Sequence, residues 1–240
     1  MKTPRIIGHR GACGHAPENT LASIRKAAEL GAEWVEFDTM LSADNRVAIF
    51  HDETLKRTTG THGNVAETNW DSLQSLDAGS WFDDAFRGEN IPLLSEVIQL
   101  LEELEMGAVV EIKPSRGHDI QTAHLCANIV KDTWPRSLPT PILSSFSEQA
   151  LMTAREQAPD IPRALNMWRS LDGWQERLQQ LDCEALHCQH DLLDEAQSTA
   201  ILAVGYDLRC FTVNEPARAH ELFNWGVSSI FTDFPDRFSE

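Results

Sequence analysis

The sequence predicts an α/β chain folded as a (β/α)8 TIM barrel, a single domain over residues 1–240. Three observations carry this. Short apolar runs alternate with helical patterns nearly end to end, and such alternation means βαβ units on a parallel sheet. Nine runs read as strands, and one must be the return arm of a hairpin, which leaves eight parallel strands. The length of 240 residues is close to the ~250 typical of this barrel.

The first strand is RIIGHR, from Arg5. A helix follows from Asn19 or Thr20, with Leu21, Ile24, Ala27, Ala28 and Leu30 at helical spacing and Gly31 as its stop. The runs WVEFDTML and RVAIFH are separated only by Ser42 to Asn45. A parallel crossover needs about a dozen residues, so these two form an antiparallel hairpin. That brings His51 back beside Glu36 and Asp38. From Asp52 to Ile91 lies a stretch without clear periodicity, holding Trp70, Trp81, Phe82 and Phe86. Long unstructured loops are uncommon in compact domains, so this stretch, about 53–91, is expected to be a small inserted lobe with the aromatics in its own core. A helix after Ser95, stopped by Gly107, leads into AVVEIK. PILSSF, PRALNM, EALHCQ, LRCFTVN and SSIFTD complete the strands, with a helix opening at Asn214-Glu215-Pro216 and closed by Gly226.

A net charge of -17 disfavours nucleic acid and anionic membranes, which need a basic footprint. A small anionic substrate would need a local cationic site. The five cysteines are odd in number, scattered, and lack a C-x-x-C, which suits a reducing compartment. The N-terminus carries only a two-residue apolar run before charge returns, unlike a signal peptide, and no stretch approaches the ~20 apolar residues of a membrane span. A cytoplasmic location is expected. The sequence carries no signal for oligomeric state.

Polar residues gather at strand ends: His9 and Arg10, Glu36 and Asp38, His51 and Asp52, Glu111 and Lys113, Thr232 and Asp233. In a barrel these ends and the loops after them make the active-site face. Side chains alternate along a strand, so Glu36 and Asp38 share a face, as do Glu111 and Lys113. With Val35, Phe37, Val110 and Ile112 under the helices, the charged faces look inward. Three converging carboxylates repel unless a cation sits among them. A hard divalent ion, Mg²⁺ or Ca²⁺, is the simplest solution; the alternative is neutralisation by Arg10 and Lys113 alone. Two histidines at strand ends suit acid–base work near neutral pH.

His9-Arg10-Gly11, Pro17-Glu18-Asn19-Thr20, Glu36-Phe37-Asp38, His51-Asp52, Glu111-Ile112-Lys113, Phe211-Thr212-Val213-Asn214 and Thr232-Asp233 occur in this order and spacing. The pattern closely resembles the glycerophosphodiester phosphodiesterase family of the bacterial cytoplasmic type, over nearly the whole chain. The resemblance implies a TIM barrel with a lobe inserted after the His-Asp motif. It also implies metal-dependent hydrolysis of deacylated phospholipids to sn-glycerol 3-phosphate and a free alcohol. By motif match, His9 and His51 take the acid–base pair, and Glu36, Asp38 and Glu111 take the metal. Arg10 and Lys113 fall where the family contacts phosphate and the metal site. Phe211 is a departure, since many relatives carry Trp or Tyr there; Phe keeps an apolar face for a glycerol backbone but loses a polar tip. A lysophospholipase D and a barrel without catalysis are the alternatives.

Other signals point elsewhere. Cys183, His187, Cys188 and His190 look like soft-metal ligands, but His187 and Cys188 face opposite sides of a strand, and a zinc site needs convergence. His15, His62, His118, His124 and His220 fall in loops or helices as solvated residues. GHRGACG lacks the Gly-Lys-[Ser/Thr] of a nucleotide loop.

Overall fold

A computed structural model describes residues 3–238; Met1 and Lys2, part of the charged N-terminus, lie outside the described residues. Among the described residues nine strands form one sheet: β1 (Ile6–Gly8), β2 (Trp34–Leu41), β3 (Val47–Ile49), β4 (Gly107–Ile112), β5 (Ile142–Ser145), β6 (Arg163–Met167), β7 (Ala185–Gln189), β8 (Asp207–Phe211) and β9 (Ser229–Thr232). The order β1-β9-β8-β7-β6-β5-β4-β2 closes through a β1–β2 pairing, and all these contacts are parallel. The fold is thus an eight-stranded parallel barrel. β3 is the extra strand, antiparallel to β2 with Thr39 opposite Ile49. The short link Ser42–Asn45 permits no other geometry.

Helices α1 (Leu21–Glu29), α4 (Leu94–Leu104), α5 (Asp119–Thr133), α6 (Glu148–Gln157), α7 (Trp174–Leu181), α8 (Glu195–Ala203) and α9 (Pro216–Asn224) fill the connections between barrel strands; α2 (Lys56–Thr59) and α3 (Trp70–Leu73) belong to the insertion. Thr20 caps α1 by accepting from the Ser23 N–H, and Pro216 occupies the first turn of α9, where its missing N–H costs nothing. Among the described residues, no helix is long and apolar enough to cross a membrane.

The alternation of side chains along the strands builds the barrel's two shells. Outward residues such as Val35, Phe37, Val110 and Ile112 pack with Ile24, Val97, Leu101 and Ala127 under the helices. Inward residues Ile7, Trp34, Val109, Ile142, Ala164, Ala185 and Phe231 fill the interior as one apolar cluster. Above that plug the inward positions turn polar, and there the site begins.

Some expectations change. Gly107 is not a helix stop; it is the first residue of β4, paired with Trp34. A Cβ there would meet the Trp34 ring at 2.2 Å, so the glycine makes room for the plug. α4 starts at Leu94 and ends at Glu105 in the left-handed region. Most strands are also shorter than their apolar runs, so His9, Arg10, His51, Lys113 and Asp233 stand just past strand ends.

Segment 53–91 holds short helical turns around a core of Leu55, Val65, Trp70, Leu73, Ala78 and Ile91, packed on Met40, Ala48 and Phe50. Of its four aromatics only Trp70 is buried there. Trp81, Phe82 and Phe86 make an edge-to-face row at the surface. The aliphatic residues and the hairpin supply enough apolar surface that the lobe needs one aromatic.

Candidate active site

The C-terminal strand ends open into a cavity of about 570 Å³. His9, Arg10, Glu36, Asp38, His51, Glu111, Lys113 and Phe211, all predicted site residues, line it together. Also lining it are Ser144, Phe146, Asn166, Trp168, His187, Gln189, Thr212 and Phe231.

Sheet register brings the carboxylates together. Asp38 lies directly opposite Glu111 in the β2–β4 ladder, and Glu36 precedes Asp38 by one pleat. One oxygen from each of the three carboxylates lies within 4.8 Å of the others, and all three residues are buried. Burial, Asp38 and Glu111 push the Glu36 carboxyl well above the ordinary carboxylate range. Burial and Asp38 push Glu111 up to about 7. Asp38 moves the other way: Lys113, Arg10, His51 and Asn19 outweigh its burial and hold it below its ordinary value. Lys113 Nζ donates to Asp38 Oδ1 at 3.1 Å. Asn19 Nδ2 donates to Asp38 Oδ2 at 2.8 Å, and Asn19 Oδ1 accepts the Asp38 N–H. Asn166 Nδ2 donates to Glu111 Oε2 at 3.1 Å.

The other oxygen of Glu111 is buried and makes no hydrogen bond, with Lys113 Nζ 3.7 Å away; Arg10 Nε likewise makes none and stands 3.4 Å from Asp38 Oδ2. A buried carboxylate oxygen without a hydrogen bond costs about 1–3 kcal/mol. Two carboxyls biased toward protonation, one with an oxygen held only by a long ion pair to Lys113, form an all-oxygen donor set short of cation, which fits a hard divalent ion.

The loop after β1 adds the cationic wall. Gly11 has φ +86°, and a Cβ on it would meet Ser23 at 2.2 Å, so only glycine lets the chain turn this close to α1. Arg10 itself has φ +50°, a conformation costing about 1–3 kcal/mol. That turn points its N–H at Glu36 Oε2 (3.0 Å) and its guanidinium at Glu18 (2.8 Å) and Asp38 (3.4 Å). Burial opposes the Arg10 charge, but Asp38, Glu18 and Glu36 hold its pKa above the ordinary value.

Both histidines are gripped alike. His9 Nδ1 is 2.7 Å from Asp233 Oδ1, and His51 Nδ1 is 2.6 Å from Asp52 Oδ1. Each ring therefore has a carboxylate on Nδ1, which leaves Nε2 for other work. Burial, with Arg10 and Lys113 nearby, lowers the His51 pKa against the pull of Asp38.

Sequence reasoning named Glu18, Asn19, Asp52 and Asp233 within motifs but assigned them no task. It missed Asn166, whose only signal is a polar residue at an inward position of PRALNM. It also missed Phe146 and Trp168, which stand 41% and 58% exposed at the cavity's rim. His187 lines the cavity while Cys188 packs behind the barrel wall. His190 lies past the strand in a short helical turn, and the four soft donors do not converge. His15 is held by Asp236 at 2.7 Å rather than simply solvated.

Comparison with known proteins gives one consistent picture. The profile of the Glycerophosphoryl diester phosphodiesterase family matches residues 9–237. The Bacillus subtilis (strain 168) protein YhdW is 33% identical over 96% of this chain and 95% of its own. The glycerophosphodiester phosphodiesterase of the same organism is 29% identical over 97% of this chain and 84% of its own. Among solved structures, an Oleispira antarctica phosphodiesterase in complex with the product sn-glycerol-3-phosphate superposes with a TM-score of 0.94. It is 40% identical and covers 98% of this chain and 94% of its own.

Proposed function

The chain belongs to the glycerophosphoryl diester phosphodiesterase family, and from that premise we propose that it hydrolyses glycerophosphodiesters to sn-glycerol 3-phosphate and an alcohol with the help of a divalent ion. The observation that carries this reading is the meeting of Glu36, Asp38 and Glu111 with His9, His51, Arg10 and Lys113 in one cavity.

Glu36, Asp38 and Glu111 would hold Mg²⁺ or Ca²⁺, which supplies Lewis-acid polarisation of a phosphoryl oxygen when bound. Arg10 and Lys113 face the same space and stabilise the charge that builds on phosphoryl oxygens as the diester is cleaved. His51, kept neutral by its lowered pKa, is the ring suited to take the proton of the attacking hydroxyl. His9 returns a proton to the departing alkoxide. Asp52 and Asp233 fix the orientation of each ring. Phe211, in edge-to-face contact with Phe146, offers a flat apolar wall for a glycerol backbone. Its lost polar tip leaves glycerol recognition to the groups on the opposite wall.

The deacylated diester is favoured as substrate, and a cytoplasmic location is part of the same reading, in keeping with free thiols at all five cysteines. The test is release of sn-glycerol 3-phosphate from a panel of glycerophosphodiesters by the purified protein, with the alcohol measured in parallel. Equal amounts of both products are expected.

A further inference from the structure

Beside the catalytic cavity sits a second group of donors, of different chemistry. Cys13 Sγ donates to Asp233 Oδ1 at 2.9 Å, the same oxygen that His9 Nδ1 meets at 2.7 Å. The third edge, Sγ to Nδ1, is 3.9 Å. One thiol, one imidazole and one carboxylate thus form a triangle with all ligand atoms within 4.8 Å. We propose that His9, Cys13 and Asp233 are an inhibitory site for a soft divalent cation such as Zn²⁺, separate from the carboxylate cluster of Glu36, Asp38 and Glu111.

Three features support it. The donor types are those of zinc, sulfur and nitrogen with one carboxylate, whereas Glu36, Asp38 and Glu111 offer oxygen alone. The size is within reach: Zn–S of ~2.3 Å and Zn–N and Zn–O of ~2.0–2.2 Å imply edges of roughly 3.3–3.6 Å, so the two edges at Asp233 must lengthen and the Sγ–Nδ1 edge shorten, each by less than about 1 Å. The carboxylate is already oriented by an outer layer. Asn214 Nδ2 donates to Asp233 Oδ2 at 2.7 Å, and Asn214 Oδ1 accepts the Asp233 N–H and the Thr232 hydroxyl. His9, Cys13 and Asp233 are each half-buried, which leaves an approach for an ion and a water as fourth ligand.

Capture of the ion releases the thiol proton, and the Nδ1 proton where the ring carries one, to solvent. The ion then replaces the Asp233 hydrogen bond that orients His9, and its charge opposes protonation at Nε2. His9 can no longer deliver a proton to a leaving group. This inhibitory consequence rests on the role given to His9 above; metal capture itself does not.

Cd²⁺ is the spectroscopic probe and Zn²⁺ the inhibitor, both with Mg²⁺ in large excess to occupy oxygen ligands. Wild-type protein should show an ultraviolet sulfur-to-cadmium charge-transfer band, saturating at one equivalent and absent in Cys13→Ser, where a hydroxyl keeps the bond to Asp233. Cys13→Ala serves if the serine variant folds poorly. Zn²⁺ should inhibit diester hydrolysis by wild type, and the half-inhibiting concentration should rise at least about tenfold in the variant. No band in wild type, or a band that survives loss of Cys13, overturns the site. A band without inhibition overturns its inhibitory role. A band in a protein that cleaves no diester contradicts the reading of the reaction and leaves metal capture standing.

Discussion

Arg57 of the inserted segment grips Glu18 of the loop after β1 with both arms of its guanidinium, Nη1 to Oε2 at 2.7 Å and Nη2 to Oε1 at 2.8 Å. The same side chain reaches Asp52 through Nε at 2.7 Å and Nη2 at 2.9 Å. Glu18 in turn holds Arg10, and Asp52 holds His51. One exposed arginine therefore ties the insertion to the partners of both Arg10 and His51.

Arg57→Ala is expected to lower kcat by about 10-fold or more, as loss of an outer supporting partner does. Lys cannot reproduce the planar fork, so Arg57→Lys should recover only part. Removing this cation also strengthens the hold of Asp52 on a protonated His51. The acid limb of the pH–rate profile should thus move upward. A variant with unchanged kcat and profile would show that the insertion docks without shaping the site.

Glu111 makes the metal-free protein sensitive to pH. Its pKa is raised to about 7 by burial and Asp38, so the folded state binds a proton that the unfolded chain has lost. Stability from this group is full below the ordinary Glu value and is lost as pH rises through about 7. Thermal scans in chelator should show Tm falling from pH 5 to pH 8. Glu111→Gln should flatten that slope, and Mg²⁺ or Ca²⁺ should restore wild-type Tm at the upper end. Asp38, held low, acts in a separate window: its stabilisation is present above the ordinary Asp value and lost below it on acidification. A Tm indifferent to chelator at pH 8 would contradict a metal among these carboxylates.

His9 and His51 should give a bell-shaped dependence of rate on pH. His51→Ala and His9→Ala should each cost about 10²–10⁴ in kcat on choline or ethanolamine diesters. A nitrophenyl leaving group needs little protonation, so His9→Ala should lose far less on that substrate while His51→Ala loses as much as before. Equal losses on both substrates would remove the proton-transfer roles.

The cavity's apolar side is formed by Phe146 and Trp168, just past the ends of β5 and β6, with Phe211 of β8 and Phe231 of β9. Phe146 and Trp168 are exposed at the rim, and this observation keeps a lysophospholipase D in view. The net charge of -17 opposes docking on anionic lipid, so glycerophosphocholine should show the higher kcat/KM against monomeric lysophosphatidylcholine. A preference for the lyso substrate would make that rim an acyl-binding element.

Much of this was legible because barrel geometry converts linear pattern into place. Period-two alternation put Glu36 and Asp38 on one face, and the short link after Leu41 returned His51 beside them. What could not be read were features set by register and side-chain reach. Nothing local marks Asn166 as the partner of Glu111; it arrives through two further strands of the sheet. Gly107 looked like a helix stop because its true constraint, the Trp34 ring, lies 73 positions away along the chain. The insertion's aromatics looked like a core because the hairpin surface that completes that core comes from Met40, Ala48 and Phe50, outside the segment. Cys13 showed no distinction until Asp233 came round to meet it at barrel closure.

The most direct measurement is sn-glycerol 3-phosphate release from glycerophosphocholine by metal-stripped protein, with Mg²⁺ or Ca²⁺ added back, and by Glu111→Gln under the same conditions. Release by wild type should stop in excess chelator and return with the ion, while the variant falls about 100-fold or more with its fold intact. Full activity in excess chelator, or a fully active Glu111→Gln, would contradict the central claim that these three carboxylates hold the ion that drives cleavage.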